Sequence, residues 1–431
     1  MSSSDTIFAL SSGQPPAAIA VIRISGPQAS QALKQLAGYL PSPRRASLAK
    51  LSDPDSGDLL DSALILWFPG PHTATGEDLV EIHSHGGRAV VRAIQECLLQ
   101  INGLRSAEPG EFTRRAFAHG RMDLAEAEGL SDLLFAETEL QRRSAVQRAG
   151  GILSRQVENW QNKILQLSAT VEAELDFSDE DDVSPAHWEG LQSSVAALCA
   201  DIDEIVQRPR AEKLRDGVRV VLGGPPNSGK STLLNALVDR EAAIVSAIAG
   251  TTRDVIEVPV ALGGIAFLFV DTAGIRTEDA EEIERIGIDR AHQQLETADI
   301  ILWLGPEGEG PSGHKLIELA SRKDHPEYQA KSLGILTVSP VSGAGMDELV
   351  ALLMERAKAI IPSADEMSVN QRQADHLHIA YDSLQQIAGQ ADYLIIAEQL
   401  RLARVALDGL TGRASTEDML DGLFGKFCIG K

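Results

Sequence analysis

Apolar and polar positions change period along this chain, and the changes divide it. Over the first 120 residues, short β-type runs at 17–24, 63–68 and 79–83 alternate with stretches of helical period at 28–37 and 88–100, an order that predicts α/β or α+β structure. From Met122 to about Arg215 the period is helical, in Ala/Leu/Glu/Gln-rich segments broken by the acidic run "DFSDEDDVSP", which reads as a solvated loop. The apolar run 218–222 opens a strand–loop–helix unit that extends to about Ile361. Helical sequence resumes after "IPSAD", runs through 400–410 and ends in "FGKFCIGK". Helical sequence on both sides of the α/β unit predicts its insertion into a helical domain, which requires that the inserted unit's ends lie close together.

The inserted unit carries the clearest chemistry. A buried-strand run leads into G-x-x-x-x-G-K-S at Gly224, Gly229, Lys230 and Ser231, followed by the helical "STLLNALV". Glycines let backbone N–H groups wrap phosphate oxygens, the Lys reaches the outer phosphates and the Ser ligates Mg²⁺, so this is a phosphate-binding loop. Residues 227–232 (Asn227, Ser228, Gly229, Lys230, Ser231, Thr232) are therefore candidate nucleotide contacts. Downstream, "AGTTRD" (Ala249, Gly250, Thr251, Thr252, Arg253, Asp254) supplies a Thr for a loop that closes on Mg²⁺ and the γ-phosphate, and "FLFVDTAG" ends a buried strand at Asp271, followed by Thr272, Ala273 and Gly274. Three such elements in order predict an NTPase.

Base choice is written less plainly. Guanine is usually read by Asn-Lys-x-Asp, absent here; the nearest substitute is "SRKD", with Ser321 for Asn, Arg322 for Lys and Asp324 as the carboxylate, and the competing reading is a charged surface turn. "SPVSG" at 339–343 is the candidate loop against the base. If "SRKD" is not the base reader, an ATPase follows. The Gly-rich segment 305–315 is short for a parallel crossover, so the helix normally expected there is expected to be absent. The position after D-x-x-G, where many switch GTPases place a water-orienting Gln, is Ile275, which cannot hydrogen-bond water. Glu281, Glu282 and Glu284 are the polar candidates for that task, against the alternative of a solvated helix face.

Length and composition bound the rest. A chain of 431 residues predicts two to four domains, because single cores stop growing near ~250–300 residues. Apolar runs such as 218–222 and 300–304 fall far short of the ~18 residues that cross a bilayer, and "MSSSDTIFAL" lacks the pattern of a secretory leader, so a cytoplasmic protein with no membrane association is expected. Cys97, Cys199 and Cys428 are scattered, without metal spacing, and an odd count speaks against a disulfide framework. A net charge of −23 repels polyanions, so any contact with RNA must be local or shared with a partner. His83 and His85 share one face of a strand, but no third ligand is evident, and a hydrogen-bonding role is expected. The terminal "CIGK" lacks a usual C-a-a-X ending.

Taken together, "GPPNSGKSTLLN", "REAAIVSAIAGTTRD", "DTAGIR", "IERIGIDRA" and "FCIGK", with "AIAVIRISGP", "GEDLVEIHSHGG" and "GEFTRRAFAHGRMDLAEAEGLSDLL", resemble the MnmE (TrmE) family of tRNA-modification GTPases over nearly the whole chain. The resemblance implies a multidomain fold of α/β and α type. It comprises an N-terminal α/β (α+β) folate-binding and dimerisation domain (1–120), a helical domain in two parts (121–214 and 363–431, the second ending in FCIGK), and an inserted P-loop G domain with a mostly parallel sheet (215–362). It implies a homodimer that works with the flavin-binding MnmG, as a heterotetramer, on tRNA contacted jointly with that partner. The product is an aminomethyl- or carboxymethylaminomethyl-type group on C5 of the wobble uridine, with 5-formyl- or methylene-tetrahydrofolate supplying the one-carbon unit. It also implies G domains that pair across their nucleotides with K⁺ rather than an arginine finger as the charge at the phosphates.

Carried over residue by residue, the resemblance places GTP at 227–232, at Ser246, Ala247, Ile248, Ala249, Gly250, Thr251 and Thr252, at Asp271, Thr272, Ala273 and Gly274, and at Asp324. Mg²⁺ falls to Ser231 and Thr252; K⁺ to Asn227, Ser246, Ile248 and Thr251; the hydrolytic water to Glu284 as catalytic residue; and folate to Arg23, Glu81, Arg121 and Lys431. Arg121 replaces a family Lys, and Ala247 stands where relatives often carry Asp. Cys428 lies near the folate and tRNA chemistry, and a nucleophilic thiolate there would need a cation such as Lys426 or Lys431 beside it. The other reading is a regulatory or assembly GTPase whose N-terminal half only mediates association.

Overall fold

In the computed structural model, which describes residues 5–176, 185–240, 256–271, 293–321, 330–332, 334–363, 366–412 and 417–431, the chain forms two compact units. One is Met1–Ser131, Ala149–Glu158 and Leu407–Lys431; the other is Asp132–Arg148 and Asn159–Ala406.

The first unit is built on a six-stranded sheet in the order β3-β4-β5-β2-β1-β6. The strands are β1 (Thr6–Leu10), β2 (Ala17–Ser25), β3 (Ser47–Ser52), β4 (Leu59–Phe68), β5 (Leu79–Gly86) and β6 (Leu104–Ser106). All pairings are antiparallel except β1 with β6. Side chains alternate across a strand, so Ala20, Ile22 and Ile24 of β2 face a core shared with helices α1 (Ala29–Ala37) and α2 (Arg88–Gln100), while Arg23 faces the other way. The helices meet that core with Ala29, Ala32, Leu33 and Leu36, and with Val91, Ile94, Cys97 and Leu98, both at helical spacing. Each fully buried Leu or Ile contributes about 1.5–3 kcal/mol. Gly38, in the left-handed region at φ 78°, ends α1.

The opposite face of this sheet carries the small cluster Ile7, Ala9, Ala107 and Phe112, the last on α3 (Glu111–Ala118). Beside it lies a charged network. Glu111 Oε2 accepts from Arg105 Nη1 (2.8 Å) and from the Glu108 amide (2.9 Å), and its Oε1 accepts from Arg115 Nη2 (3.1 Å). Arg115 also reaches Glu77 (3.1 Å) and Asp5 (2.9 Å), and Ser25 donates to Glu77 at 2.8 Å. Burial alone would push the Asp5 and Glu111 carboxyls up; the Arg105 and Arg115 bonds outweigh it and hold both below the usual carboxylate range.

The end of the chain belongs to this unit. Phe424 and Phe427 pack with Ala127 of α4 (Leu124–Leu134), beside Phe117 and Leu130. The helix α13 (Glu417–Phe424) leads to a tail that forms an antiparallel bridge from Ile429 to Pro109 and accepts a hydrogen bond at Gly430 O from Ser11 Oγ (2.9 Å). Gly430 has φ +96°, and a Cβ there would lie 2.3 Å from Leu10 O, so no other residue fits.

The second unit contains a six-stranded sheet in the order β12-β11-β10-β7-β9-β8. Its strands are β7 (Val218–Gly223), β8 (Ile256–Leu262), β9 (Ile265–Asp271), β10 (Ile300–Trp303), β11 (Leu316–Ala320) and β12 (Leu336–Thr337). Every pairing is parallel except β8 with β9. Covered on both faces, its central strands read as the unbroken apolar runs seen in the sequence. Its core takes Leu233, Leu234 and Leu237 from α9 (Lys230–Arg240) and Met346, Leu349 and Leu353 from α10 (Met346–Lys358). The flanking helices include α5 (Glu139–Ala149), α6 (Ile152–Asp176), α7 (Pro185–Val206) and α8 (Ala211–Asp216), then α11 (Gln371–Gln385) and α12 (Tyr393–Thr411); α7 packs on α11 across the inserted sheet's sequence. Gln141 of α5 donates to the carbonyls of Leu214 (3.0 Å) and Arg215 (3.1 Å), at the approach to β7. The acidic run read as a loop lies outside the described residues at 177–184. Strands β1, β3 and β6 escaped the sequence reading, being short or, for β3, weakly apolar.

A group with a depressed folded-state pKa stabilises the fold above its unfolded value and loses that contribution as pH falls. Thermal stability of the chain should therefore decline as pH drops below about 4, where unfolded carboxyls begin to protonate. Glu111→Gln should cost about 2 kcal/mol near neutrality and flatten the decline. Urea or thermal unfolding at several pH values checks both, and an unaltered acid profile in the variant would refute the role given to the network.

Candidate functional site

β7 is flanked by β9 and β10, so its C-terminal end opens where ligands sit in parallel sheets. Register sets the chemistry there: Asp271, the last residue of β9, lies opposite Leu222, and Trp303, the last of β10, opposite Gly223. The loop after β7 turns through Gly224 (φ +141°), Asn227 (φ 63°) and Gly229 (φ +95°). The first and last need glycine; Asn is among the few side-chain-bearing residues that take the left-handed region readily. The loop then enters α9, whose first residue is Lys230.

Lys230 is buried, with Nζ donating to the carbonyls of Gly224 (2.8 Å) and Pro225 (2.9 Å). Burial lowers its pKa, and the Asp271 charge partly offsets that shift. Ser231 Oγ donates to Asp271 Oδ2 at 2.6 Å, and Asp271 is itself buried. A hydroxyl and a carboxylate paired at a helix N-terminus form a donor set suited to Mg²⁺, an oxygen-seeking cation. Ser228 Oγ is buried without a hydrogen-bond partner among the described residues, as a group that awaits a phosphate would be. The residues present thus fit a nucleoside triphosphate with its metal.

The segment between β10 and β11 contains no helix, as its length implies, and the structure shows what replaces it. The Trp303 indole donates from Nε1 to Pro306 O (2.9 Å), and the loop folds back under the phosphate site. A Cβ on Gly305 would lie 2.6 Å from Trp303 Cζ2 and 3.0 Å from Pro225 Cδ, and one on Gly310 would lie 2.9 Å from Trp303 Cγ. A Cβ on Gly224 would meet Gly305 N at 3.0 Å. The short crossover is therefore a buttress for the phosphate loop, a role the sequence reading missed; the signal was the repeated Gly of "GPEGEG" beside a Trp. At the next strand end, Ser321 Oγ donates to Ser228 O (2.9 Å), which fastens the first residue of "SRKD" to the phosphate loop. Ser339 is buried in a tight turn closed by Gly343 N to Ser339 O (2.8 Å). Ser246, Ala247, Ile248, Ala249, Gly250, Thr251, Thr252, Thr272, Ala273, Gly274, Glu284 and Asp324 lie outside the described residues.

A second set of candidates gathers in the N-terminal unit. Arg23 and Glu81 are direct cross-strand partners, with Arg23 Nη2 and Nε 2.9 and 3.2 Å from Glu81 Oε1, and the guanidinium lies 5.9 Å from the Phe112 ring centroid. Burial would raise the Glu81 carboxyl; the Arg23 bond and charge reverse this and hold it low. His83 Nε2 approaches Glu81 Oε2 at 3.3 Å, and His85 Nδ1 pairs with Asp61 Oδ1 at 2.8 Å, so each histidine has its own carboxylate. No group of three or more potential metal ligands occurs among the described residues. Arg121 follows α3 next to Gly76, whose loop His119 holds through Thr75 O (2.8 Å). Lys431 closes a turn with its amide on Cys428 O (3.2 Å), and the Cys428 thiol is exposed, whereas Cys97 and Cys199 are buried. Among the described residues no hydrogen bond joins Arg121 or Lys431 to the Arg23–Glu81 pair.

Comparison with known proteins covers the whole chain. The family model for the MnmE helical domain matches residues 124–428, and that for the GTP-binding protein TrmE N-terminus matches residues 6–121. The "tRNA modification GTPase MnmE" of Novosphingobium aromaticivorans is 56% identical over 99% of this chain and 100% of its own length; that of Erythrobacter litoralis is 57% identical, with the same coverage of both chains. Among solved structures, the G domain of the T. maritima FeoB iron transporter aligns with 32% of this chain and 98% of its own at 25% identity, with a TM-score of 0.24, too low to support any argument.

Gly305→Ala isolates the buttress, because the new methyl can fit only by moving the indole or Pro225. The variant should lose about 1–3 kcal/mol of stability and bind a fluorescent nucleoside triphosphate at least several-fold more weakly. Unchanged nucleotide affinity in a folded variant would separate the crossover from the phosphate loop.

Proposed function

Because the chain belongs to the MnmE family of tRNA modification GTPases, we propose that it is a Mg²⁺-dependent, K⁺-stimulated GTP hydrolase that serves wobble-uridine modification of tRNA together with the flavin-binding MnmG. The observation that carries the nucleotide half of this reading is the constellation at the end of β7: Lys230 on the loop carbonyls, and Ser231 on Asp271 at 2.6 Å.

The roles follow from the chemistry of each group. Backbone N–H groups of residues 227–232 and the Lys230 ammonium bind the phosphates. Ser231 and Thr252 would hold Mg²⁺, with Asp271 orienting its water shell; when bound, the ion neutralises charge on the outer phosphates. Asn227, in the left-handed region within the phosphate loop, would hold K⁺ with Ser246, Ile248 and Thr251, and this cation would supply the positive charge an arginine finger otherwise brings. Glu284 orients the attacking water, since Ile275 cannot. Asp324 accepts the guanine N–H donors, and the Ser321–Ser228 bond supports a base-reading loop anchored to the phosphate loop.

In the N-terminal unit, the Arg23–Glu81 pair presents a half-buried carboxylate and guanidinium beside Phe112, suited to a donor-rich pterin and a carboxylate-bearing tail. Arg121 and Lys431 complete this tetrahydrofolate site, which supplies the one-carbon unit, and Cys428 is the residue of the tail available to the tRNA chemistry. We assign residues 1–120 to folate binding and homodimer formation, 121–214 and 363–431 to the helical domain and 215–362 to the G domain. A cytoplasmic location accords with the absence, among the described residues, of any helix long and apolar enough to cross a membrane.

Hydrolysis measured in KCl and in NaCl decides the cation assignment. A clear potassium preference, lost in Asn227→Ala, is expected, and equal turnover in the two salts would refute it. For the pathway, tRNA from a deletion strain should contain unmodified wobble uridine; an intact nucleoside pattern would leave only a regulatory or assembly GTPase.

A further inference from the structure

The N-terminal unit has a cleft that none of these roles occupies. Its volume is about 490 Å³, and it lies where β6 ends and leaves the edge of β1 at Ala9 and Leu10 without a neighbouring strand. Arg88 and Arg92 of α2, one turn apart, line it with Gln95, together with Gln14 and Pro15 and with Ile429 of the tail. No acidic side chain lines it, and α2 has none in its first turn. Phe8, Val91 and Ala107 add apolar surface to it.

Charge makes this place unusual. The chain carries −23 overall, so a polyanion is repelled except where cations cluster, and here two arginines stand over an apolar hollow. Their existing engagements are weak. Arg88 Nε reaches Pro15 O only at 3.4 Å, and Arg92 pairs with Glu96 at 2.7 Å in an exposed i,i+4 contact, which water and salt screen. Both guanidiniums can turn to a phosphate at little cost, and planar guanidinium suits that ligand better than ammonium does. A single nucleotide fits the volume, with its base on the apolar surface and its phosphate at the arginines. Single-stranded RNA is read in this manner, base splayed out and backbone held by cations. Ile429 is also the neighbour of Cys428, so a nucleotide seated here lies against the segment that carries this exposed thiol.

We propose that this cleft is a nucleotide-binding pocket for one extruded residue of an RNA strand, with Arg88 and Arg92 as its phosphate contacts. The proposal rests on the reading of the chain as a tRNA-modifying protein, and it names where the RNA is gripped by this chain itself. The pocket is distinct from the Arg23–Glu81 pair, since Arg23 and Glu81 do not line it.

The test uses the full chain, a fluorescein-labelled anticodon stem-loop with uridine at the wobble position, and fluorescence anisotropy across a salt series. Arg88→Gln/Arg92→Gln should weaken binding at least about tenfold and reduce the salt slope by about 1.4, two phosphates at ~0.7 each for single strands. GTP turnover in KCl and binding of 5-formyltetrahydrofolate should stay as in the wild type. Arg88→Lys/Arg92→Lys, which keeps the charge, should recover most of the salt slope. Unchanged RNA affinity in the Gln variant overturns the proposal, as does a wild-type chain that binds no stem-loop without a partner. Loss of folate binding together with RNA binding assigns the cleft to the folate site instead and overturns it too. Modified wobble uridine missing from a deletion strain while the Gln variant binds RNA normally would leave the family reading intact and this pocket refuted.

Discussion

The hydrogen bond from Ser231 to Asp271 joins the two strands on which the nucleotide chemistry depends. One partner lies in the first turn of the helix that follows β7, and the other ends β9, so the bond exists only if those strands are parallel, adjacent and in the register that sets Leu222 opposite Asp271. A slip of one residue would turn Asp271 to the other face of the sheet. The apolar runs of β7 and β9 fix that register by burial on both faces, with Val220, Leu222, Phe267 and Phe269 in one core and Val221 and Val270 in another. The site's geometry is thus a product of packing beneath it, and the glycines of the loop only release the backbone to use it.

A similar division of labour holds in the N-terminal unit. Ile22 and Ile24 secure β2 against the two helices, which leaves Arg23 between them on the opposite face, opposite Glu81 of β5. The two charged residues stand 58 positions apart in the chain. Their meeting is a consequence of strand order, as is the pairing of Asp5, Arg105, Glu111 and Arg115 around the ends of β1 and β6.

This explains which parts of the molecule were legible in the sequence. Lys230, Ser231 and the strand before them are local: periodicity, glycine spacing and helix onset all fall within one short stretch, and the structure arranges them as that stretch implies. The missing crossover helix was also readable, from length alone. What replaced it was not, because the contact of Trp303 with Gly305, Gly310 and the base of the phosphate loop is tertiary. Strand β3, with Ser47, Lys50 and Ser52 among its six residues, gives little apolar signal, and its identity comes from pairing with β4. The histidine pair of β5 was legible as a pair on one face, but only the fold shows that Glu81 and Asp61 lie beside them.

The bond from Ser11 to Gly430 links positions 419 apart in the chain. During synthesis, the first unit therefore emerges from the ribosome long before the residues that finish it, Leu407–Lys431. Its sheet can gather early, but the notch beside β1 stays open, and Phe117 lacks its aromatic neighbour Phe424, until Leu407–Lys431 emerge. Contacts of such high sequence separation form slowly. The cleft consequently gains the side that Ile429 supplies only after both sheets of the molecule have been synthesised.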